Sequence, residues 1–140
     1  MNQQEQYEYA NNRLDRAKQI LDDARLLIEN GSILSANNRI YYAVFNAICA
    51  VLIFNDLVNK NHTQVIGSFN KLIINTGILD RKYGRFIHDV KNIREKSDYS
   101  FEETDESETQ ENYDIAVDFL EQIDELVLKI KEGSLNFLKE

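Results

Sequence analysis

The sequence contains no proline, five glycines and one cysteine among its 140 residues. Proline and glycine are the residues that most disfavour the interior of a helix, so few helix breakers interrupt a chain that is 43% apolar and 29% charged. A chain of this length suffices for one domain with its own core. We therefore predict one all-helical domain over residues 1–140, with a short C-terminal tail over about 133–140.

The sequence also lacks a charged-then-apolar leader and a long uncharged apolar run. Its single cysteine, Cys49, has no intramolecular disulfide partner and follows Phe45 by one helical turn, so we expect it to pack in the core. These features predict a soluble cytoplasmic protein that does not associate with membranes.

Motifs for metal, cofactor or nucleophilic chemistry are missing as well. The sequence has no His-x-x-x-His pair, no paired cysteines, no Ser-His-Asp or Cys-His arrangement and no glycine-rich phosphate loop. We therefore expect no metal site and no cofactor, and conventional hydrolase and P-loop functions are not supported.

The net charge of −8 argues against a protein that binds nucleic acid over its whole surface. Residues 81–96 nevertheless carry six Lys or Arg and only two acidic residues. The following segment, about 100–110, is acidic without any Lys or Arg and is predicted to be a solvated loop. Alternatively, this acidic segment folds back on the basic helix as a nucleic-acid mimic or offers a docking surface to a basic partner.

Apolar residues recur at three and four residue steps through most of the chain, and this spacing predicts amphipathic helices. Ser35 is the expected N-cap of the second helix, and the fifth helix is expected to turn Ala116, Val117 and Leu120 inward. Helices joined by short connections pack as an antiparallel up-and-down bundle. The five predicted helices cover about residues 4–29, 35–54, 63–75, 80–97 and 109–131.

The fourth helix carries a charged pair in an apolar position. Tyr83, Ile87, Val90, Arg94 and Asp98 follow one another at steps of four, three, four and four, so the last two continue the apolar line. A simple explanation is an intrahelical Arg94–Asp98 pair worth about 0.3–0.5 kcal/mol if exposed. The alternative is that Arg94 is an anion receptor, because its planar guanidinium grips phosphate at two points.

Polar residues and histidines suggest further candidates. Arg39, Tyr42 and Asn46 share a face of the second helix that differs from its apolar line. His62 precedes the third helix, where it is either a capping residue or a catalytic base. His88 lies on the polar face of the fourth helix and is expected to be exposed to solvent.

Three segments together resemble one family. They are "SANNRIYYAVFNAICAVL" (35–52), "NHTQVIGSFNKLIINTGILD" (61–80) and "IREKSDY" (93–99). They are similar to the HEPN superfamily, in particular its small stand-alone prokaryotic members. The residues that match the family pattern are Asn38, Arg39, Tyr41, Tyr42, Ala43, Phe45, His62, Arg94, Asp98 and Tyr99.

The resemblance implies a helical bundle that forms a homodimer, with the fourth-helix motifs facing each other across a cleft. It also implies RNA as the target, because many HEPN proteins are metal-independent endoribonucleases that act as toxins or defence effectors. Such proteins commonly pair with a minimal nucleotidyltransferase that serves as antitoxin. The partners expected for this chain are therefore RNA, a second copy of itself and such a transferase.

By the same resemblance, Arg94, Asp98 and Tyr99 form the candidate catalytic site. We predict a wall opposite them made of Arg39, Tyr42 and Asn46, and His62 is a further candidate binding residue.

Active HEPN ribonucleases usually carry a histidine a few residues after the arginine, whereas this chain has Asp98 and Tyr99 there and no histidine. Tyr99 either closes the helix end over the core or, as in a related toxin branch, is the site where a partner transferase attaches nucleotide. Two alternatives to the ribonuclease thus stay open: a non-catalytic HEPN module that serves as a dimeric interaction or nucleotide-binding subunit, and an antitoxin-like neutraliser that uses the acidic segment.

Overall fold

A computed structural model describes residues 1–57, 60–99 and 105–133, except for the side chains of Asp98 and Tyr99. Over these ranges the chain is helical and contains no strand, which confirms the all-helical prediction. A 3₁₀ turn, Ile53–Asn55, follows the second helix and a π-helical turn, Asn70–Ile74, follows the third. The five helices are α1 (Gln3–Glu29), α2 (Ile33–Leu52), α3 (His62–Phe69), α4 (Arg81–Tyr99) and α5 (Glu106–Lys131).

The centre of the bundle is α2, which packs against each of the other four helices. In length and hydropathy the segment Ile33–Asn55 would suit a membrane span, but 78% of its most apolar window is buried inside the bundle. The apolar character of α2 is therefore that of a core helix, which has to be covered on nearly every side. The helices α1 and α4 both contact α2, whereas no close backbone contact joins α1 to α4 among the described residues.

The core follows the predicted apolar lines in most places. Cys49 is buried, as expected, and burial raises the pKa of its thiol to about 11. The inward assignment of Val117 is wrong, because this side chain is 36% exposed. Ala116 and Leu120 are buried as predicted, and Phe119, which is fully buried, and Leu126 are further inward residues that the prediction omits.

The second helix begins earlier than predicted, and Ser35 is not its N-cap. Gly31 adopts a left-handed conformation with φ 77°, and the Ser32 amide donates to the Leu27 carbonyl at 2.8 Å. This hydrogen bond caps the C-terminal end of α1, and α2 begins a few residues later. Ser32 therefore occupies the N-cap position of α2, although its side chain makes no capping hydrogen bond.

The acidic segment is only partly the loop that composition predicts. The fifth helix begins at Glu106, and the Asp105 carboxylate caps it by accepting a hydrogen bond from the Ser107 amide at 3.0 Å. Glu106 and Glu108 lie in the first turn, where the positive end of the helix dipole favours carboxylates. The rest of the predicted loop, residues 100–104, lies outside the described residues.

A buried hydrogen bond joins the start of α5 to the start of α2. The Thr109 hydroxyl donates to the Asn37 side-chain oxygen at 2.8 Å, and both residues are buried. The Asn37 side-chain nitrogen has no hydrogen-bond partner among the described residues. The Thr109 hydroxyl is therefore an important partner for a buried amide.

Replacing Thr109 with valine should lower the free energy of unfolding by about 1–3 kcal/mol, because it leaves the buried Asn37 oxygen without its donor. Urea denaturation would measure this loss. The control is Thr76→Val, which removes an exposed hydroxyl that donates to the Leu72 carbonyl at 2.8 Å and should lower the free energy of unfolding by less, because water can replace that donor. Equal stability of the Thr109→Val variant and the native chain would show that the bond contributes nothing.

Candidate functional site

Arg94 lies on α4 and its guanidinium rests on two tyrosine rings of α2. The guanidinium carbon is 5.3 Å from the ring centroids of both Tyr41 and Tyr42. Its Nη2 also donates to the Tyr42 hydroxyl oxygen at 3.2 Å. Both distances to the rings fall within the range of a cation–π interaction. The arginine on the apolar line of α4 is thus held in place by aromatic side chains of another helix.

The two tyrosines form a corner because consecutive helical residues point about 100° apart. Tyr41 is buried and Tyr42 is half-buried. Their rings meet edge to face, with centroids 5.2 Å apart and an interplanar angle of 75°. A guanidinium placed in this corner contacts both rings at once.

A second guanidinium lies at the same ring. The Arg39 guanidinium carbon is 5.4 Å from the Tyr42 centroid, and the Asn38 side-chain oxygen accepts from Arg39 Nε at 3.3 Å and from Nη2 at 2.8 Å. Two positive charges therefore border one ring, and guanidiniums are groups that bind anions such as phosphate. The structure thus places Arg39, Tyr42 and Arg94 together.

His62 joins this cluster from α3. Its Nδ1 lies 3.0 Å from the Tyr41 hydroxyl oxygen, and its ring stacks on Phe45 at a centroid distance of 3.9 Å. The capping interpretation is wrong, because the N-cap of α3 is Asn61, whose side chain accepts from the Gln64 amide at 2.9 Å. His62 is thus a side-chain partner of the tyrosine cluster.

The electrostatics of the site keep His62 neutral. Burial lowers the pKa of its imidazole, and the positive charges of Arg94 and Lys91 lower it further. Because an unperturbed histidine already titrates near pH 6.5, this one is mostly uncharged at pH 7. Burial raises the pKa of Tyr41, its hydrogen-bond partner, to about 12, so the phenol also stays neutral.

Comparison with known proteins identifies the family of the chain. A family model described as the HEPN domain matches residues 10–131, which run from α1 to the end of α5. The chain belongs to the HEPN family. The match confirms the resemblance that the sequence segments suggested.

Several HEPN relatives are similar over much of their length. A UPF0332 protein of Thermotoga maritima is 34% identical over 119 residues, which cover 84% of this chain and 90% of the relative. A protein of Methanocaldococcus jannaschii named "Putative toxin" is 34% identical over 97 residues, 69% of this chain and 72% of the relative. A UPF0332 protein of Gloeobacter violaceus is 31% identical over 86 residues, 61% and 68% of the two chains.

The sequence did not indicate Lys91 as a member of the candidate site, and it marked Tyr41 only as a residue that matches the family pattern. Lys91 Nζ donates to the Thr63 hydroxyl at 3.2 Å, beside His62. The spacing of three residues between Lys91 and Arg94 was a signal for Lys91, since it puts both on neighbouring positions of one helix face. His88, by contrast, is exposed as predicted and bonds only Asn92 among the described residues.

Asn46, predicted for the same HEPN cleft wall, lies one turn away from the cluster. It is 5% exposed, and its side-chain oxygen accepts from Arg13 Nη1 of α1 at 2.6 Å. Its side-chain nitrogen donates to the Tyr42 carbonyl at 2.8 Å. Asn46 therefore connects the backbone of Tyr42 to Arg13 of α1.

The backbone of α4 continues through Asp98 and Tyr99, but their side chains lie outside the described part of the chain. Their catalytic roles, and the intrahelical Arg94–Asp98 pair, stay predictions.

Proposed function

We propose that this HEPN protein is a metal-independent endoribonuclease of the toxin or defence type that acts as a homodimer. The observation that supports this most directly is the cluster in which Arg94 and Arg39 share the Tyr42 ring beside a neutral histidine. Cations that bind phosphate and a group that moves a proton are what metal-free RNA cleavage requires. The Methanocaldococcus jannaschii relative named "Putative toxin" adds support, because a ribonuclease active in the cytoplasm would be toxic.

Arg94 and Arg39 would hold the non-bridging oxygens of the scissile phosphate. Both guanidiniums are positioned before substrate arrives, Arg94 by the tyrosine corner and Arg39 by Asn38. Fixed positive groups stabilise charge that develops in the transition state without having to reorganise. In a homodimer the second copy would bring a second Arg94 to the same cleft.

His62 would move the proton in place of the histidine that active HEPN ribonucleases carry after the arginine. When Nδ1–H donates to the Tyr41 oxygen, Nε2 carries the lone pair that a base needs. The 2′-hydroxyl then loses its proton to Nε2 while its oxygen bonds to phosphorus and the bond from phosphorus to the 5′-oxygen breaks. The imidazolium returns the proton to the departing 5′-oxygen, and the products are a 2′,3′-cyclic phosphate and a 5′-hydroxyl.

This role for His62 predicts the pH dependence of cleavage. Because the folded protein lowers the pKa of His62, the base is neutral above that pKa and protonated below it. The rate kcat/KM should therefore rise with pH through an acid limb centred below pH 6.5 and then reach a plateau. The His62→Gln variant should lose this limb and about 10²-fold or more of the plateau rate.

The matched control is His88→Gln, which removes the exposed histidine of α4 and should leave both the limb and the plateau unchanged. An acid limb that persists in His62→Gln would assign the proton transfer to another group. Asp98 and Tyr99 would be the next residues to replace.

A minimal nucleotidyltransferase is the proposed antitoxin partner, with Tyr99 as the residue it would modify. Co-expression of the chain with such a transferase, followed by mass measurement of the purified protein, would test this proposal. A mass increase of one or more nucleotides that Tyr99→Phe abolishes is the expected result. Unchanged mass in the presence of an active transferase would contradict it.

The second candidate is a non-catalytic HEPN module that binds a partner or a nucleotide. The missing histidine after Arg94 and the net charge of −8 favour it. Incubation of the purified protein with labelled RNA in excess EDTA separates the two functions. Products that end in 2′,3′-cyclic phosphate support the ribonuclease, and intact RNA with a folded, unmodified dimer supports the binding module.

A further inference from the structure

Three polar side chains of α2, spaced four residues apart, each accept a hydrogen bond from a different arginine. One helical turn, about 6 Å, separates each of them from the next along the helix. The three arginines come from α2 itself, from α4 and from α1. The pairs are Asn38 with Arg39, Tyr42 with Arg94 and Asn46 with Arg13.

The start of this strip of α2 is the floor of a cleft. Both α1 and α4 pack on α2, and no close backbone contact joins them among the described residues. Leu27 of α1 and Ser97 of α4 line this cleft of about 330 Å³ together with Asn38 and Arg39 of α2. The helices α1 and α4 thus contribute its two walls, and Arg39 joins the cleft to the cluster around Arg94.

Arg13 lies one turn of α2 beyond this cluster, on the α1 side. Its Nε donates to the Tyr9 hydroxyl at 2.9 Å, its guanidinium carbon is 5.3 Å from the Tyr9 ring centroid, and its Nη1 donates to Asn46. Its Nη2 donates to no described residue, and Arg13 forms no ion pair within the described ranges. The orientation of the Arg13 guanidinium is therefore fixed by Tyr9 and Asn46, while its Nη2 can donate to a ligand.

The surroundings of Arg13 suit a nucleic-acid strand. Tyr9 and Arg16 line a cleft of about 500 Å³ with Arg13, and the Asp15 carboxylate is the negative group of that lining. Proteins hold single strands with positive side chains that pair with the phosphates and with aromatic rings on which bases stack. The cleft has both features, since Arg16 and the half-buried Tyr9 ring lie beside the fixed guanidinium of Arg13.

We propose that Arg13 binds a second phosphate of the RNA strand, so that the strand follows α2 from Arg94 and Arg39 to α1. This inference rests on the proposed function, because it extends the RNA site that Arg94 defines. On this proposal, an acidic protein binds RNA locally through three arginines, Arg39, Arg94 and Arg13. Arg13 positions the strand and does not contact the scissile bond.

Binding of a fluorescent 2′-O-methyl RNA, which lacks the attacking hydroxyl, tests the inference by anisotropy over a series of salt concentrations. Loss of one phosphate contact on a single strand lowers the slope of log K against log salt by about 0.7. We expect Arg13→Gln to show this smaller slope and to bind several-fold more weakly. Arg13→Lys, which keeps the charge, should restore the slope of the native protein.

The control is Arg25→Gln, since it removes the same charge from an exposed arginine of α1 that pairs with Glu29. If Arg13→Gln behaves like this control while Arg94→Gln binds more weakly, Arg13 is no RNA ligand and the Arg94 site stands. Weaker binding by both Gln and Lys at position 13, with an unchanged slope and a lower melting temperature, would assign Arg13 a structural role through Asn46. If the native protein does not bind the RNA, the proposed function fails together with this inference.

Discussion

Replacing Arg94 with alanine should lower RNA cleavage by about 10²-fold or more and leave the helical bundle folded. Arg94 is half-buried against the rings of Tyr41 and Tyr42. Alanine removes the charge of Arg94, whereas both tyrosines belong to α2 and are unchanged. A fixed donor of this kind contributes mainly to the transition state, so kcat should fall more than KM rises. Cleavage of labelled RNA in excess EDTA, with analysis of the product ends, measures the effect.

A conservative variant separates charge from geometry at this position. Arg94→Lys keeps the positive charge but loses the planar fork that holds phosphate at two points and stacks on tyrosine. We expect its rate to lie between those of the native protein and Arg94→Ala. Equal rates for lysine and arginine would mean that only the charge matters.

The control for both variants is Arg85→Ala, which removes an exposed arginine from the same helix and should cleave RNA at the native rate. Circular dichroism and light scattering establish whether each variant is folded and dimeric. A variant at position 94 that unfolds or becomes monomeric would support a structural Arg94–Asp98 pair. Full cleavage by a folded Arg94→Ala dimer would remove Arg94 from the mechanism.

The part of the site that follows from helical periodicity could be predicted from the sequence. Arg94 stands out because it continues the apolar line of α4, and Arg39 and Tyr42 share one face of α2. The structure brings these three together because that face of α2 borders α4. Periodicity determines the side of a helix on which a residue lies. Because the central helix α2 is covered by other helices on most sides, few positions are left for a polar face.

Contacts between separate helices could not be predicted in the same way. The bond from His62 to Tyr41 and the bond from Arg13 to Asn46 join residues 21 and 33 positions apart. Nothing in the local spacing indicates that His62 of α3 reaches Tyr41 or that Arg13 of α1 reaches Asn46. The spacing places Asn46 on one face of α2 with Arg39 and Tyr42 but does not indicate its partner on α1.

Composition predicts the start of α5 too late in the sequence, because acidic residues there have two opposing effects on structure. A run of carboxylates cannot pack in a core, which favours a loop, yet carboxylates in a first turn stabilise a helix. Asp105 caps α5, and the helix begins at Glu106, three residues before its predicted start. An aspartate at a capping position followed by glutamates in the next turn was the available signal.

Replacing Phe119 with alanine should cause the largest loss of stability, about 3–5 kcal/mol in the free energy of unfolding. Phe119 is fully buried in α5, and its ring centroid lies 6.0 Å from that of Phe69, 5.6 Å from that of Tyr83 and 6.2 Å from that of Phe86. Its removal opens a cavity against residues of α3 and α4, and small domains have only about 5–15 kcal/mol of stability in total. Urea denaturation measures the loss.

Ile115→Ala is the control for Phe119→Ala, because this residue lies one turn away on α5 and is 38% exposed, so the change should cost less than about 0.5 kcal/mol. Phe119 is not a member of the cluster around Arg94, which is built from other residues of α2, α3 and α4. The Phe119→Ala variant should therefore cleave RNA normally per folded molecule at low temperature, whereas Arg94→Ala should be inactive although folded. Loss of cleavage in the folded Phe119→Ala variant would show that the site depends on the packing of α4 against α5 as much as on its own side chains.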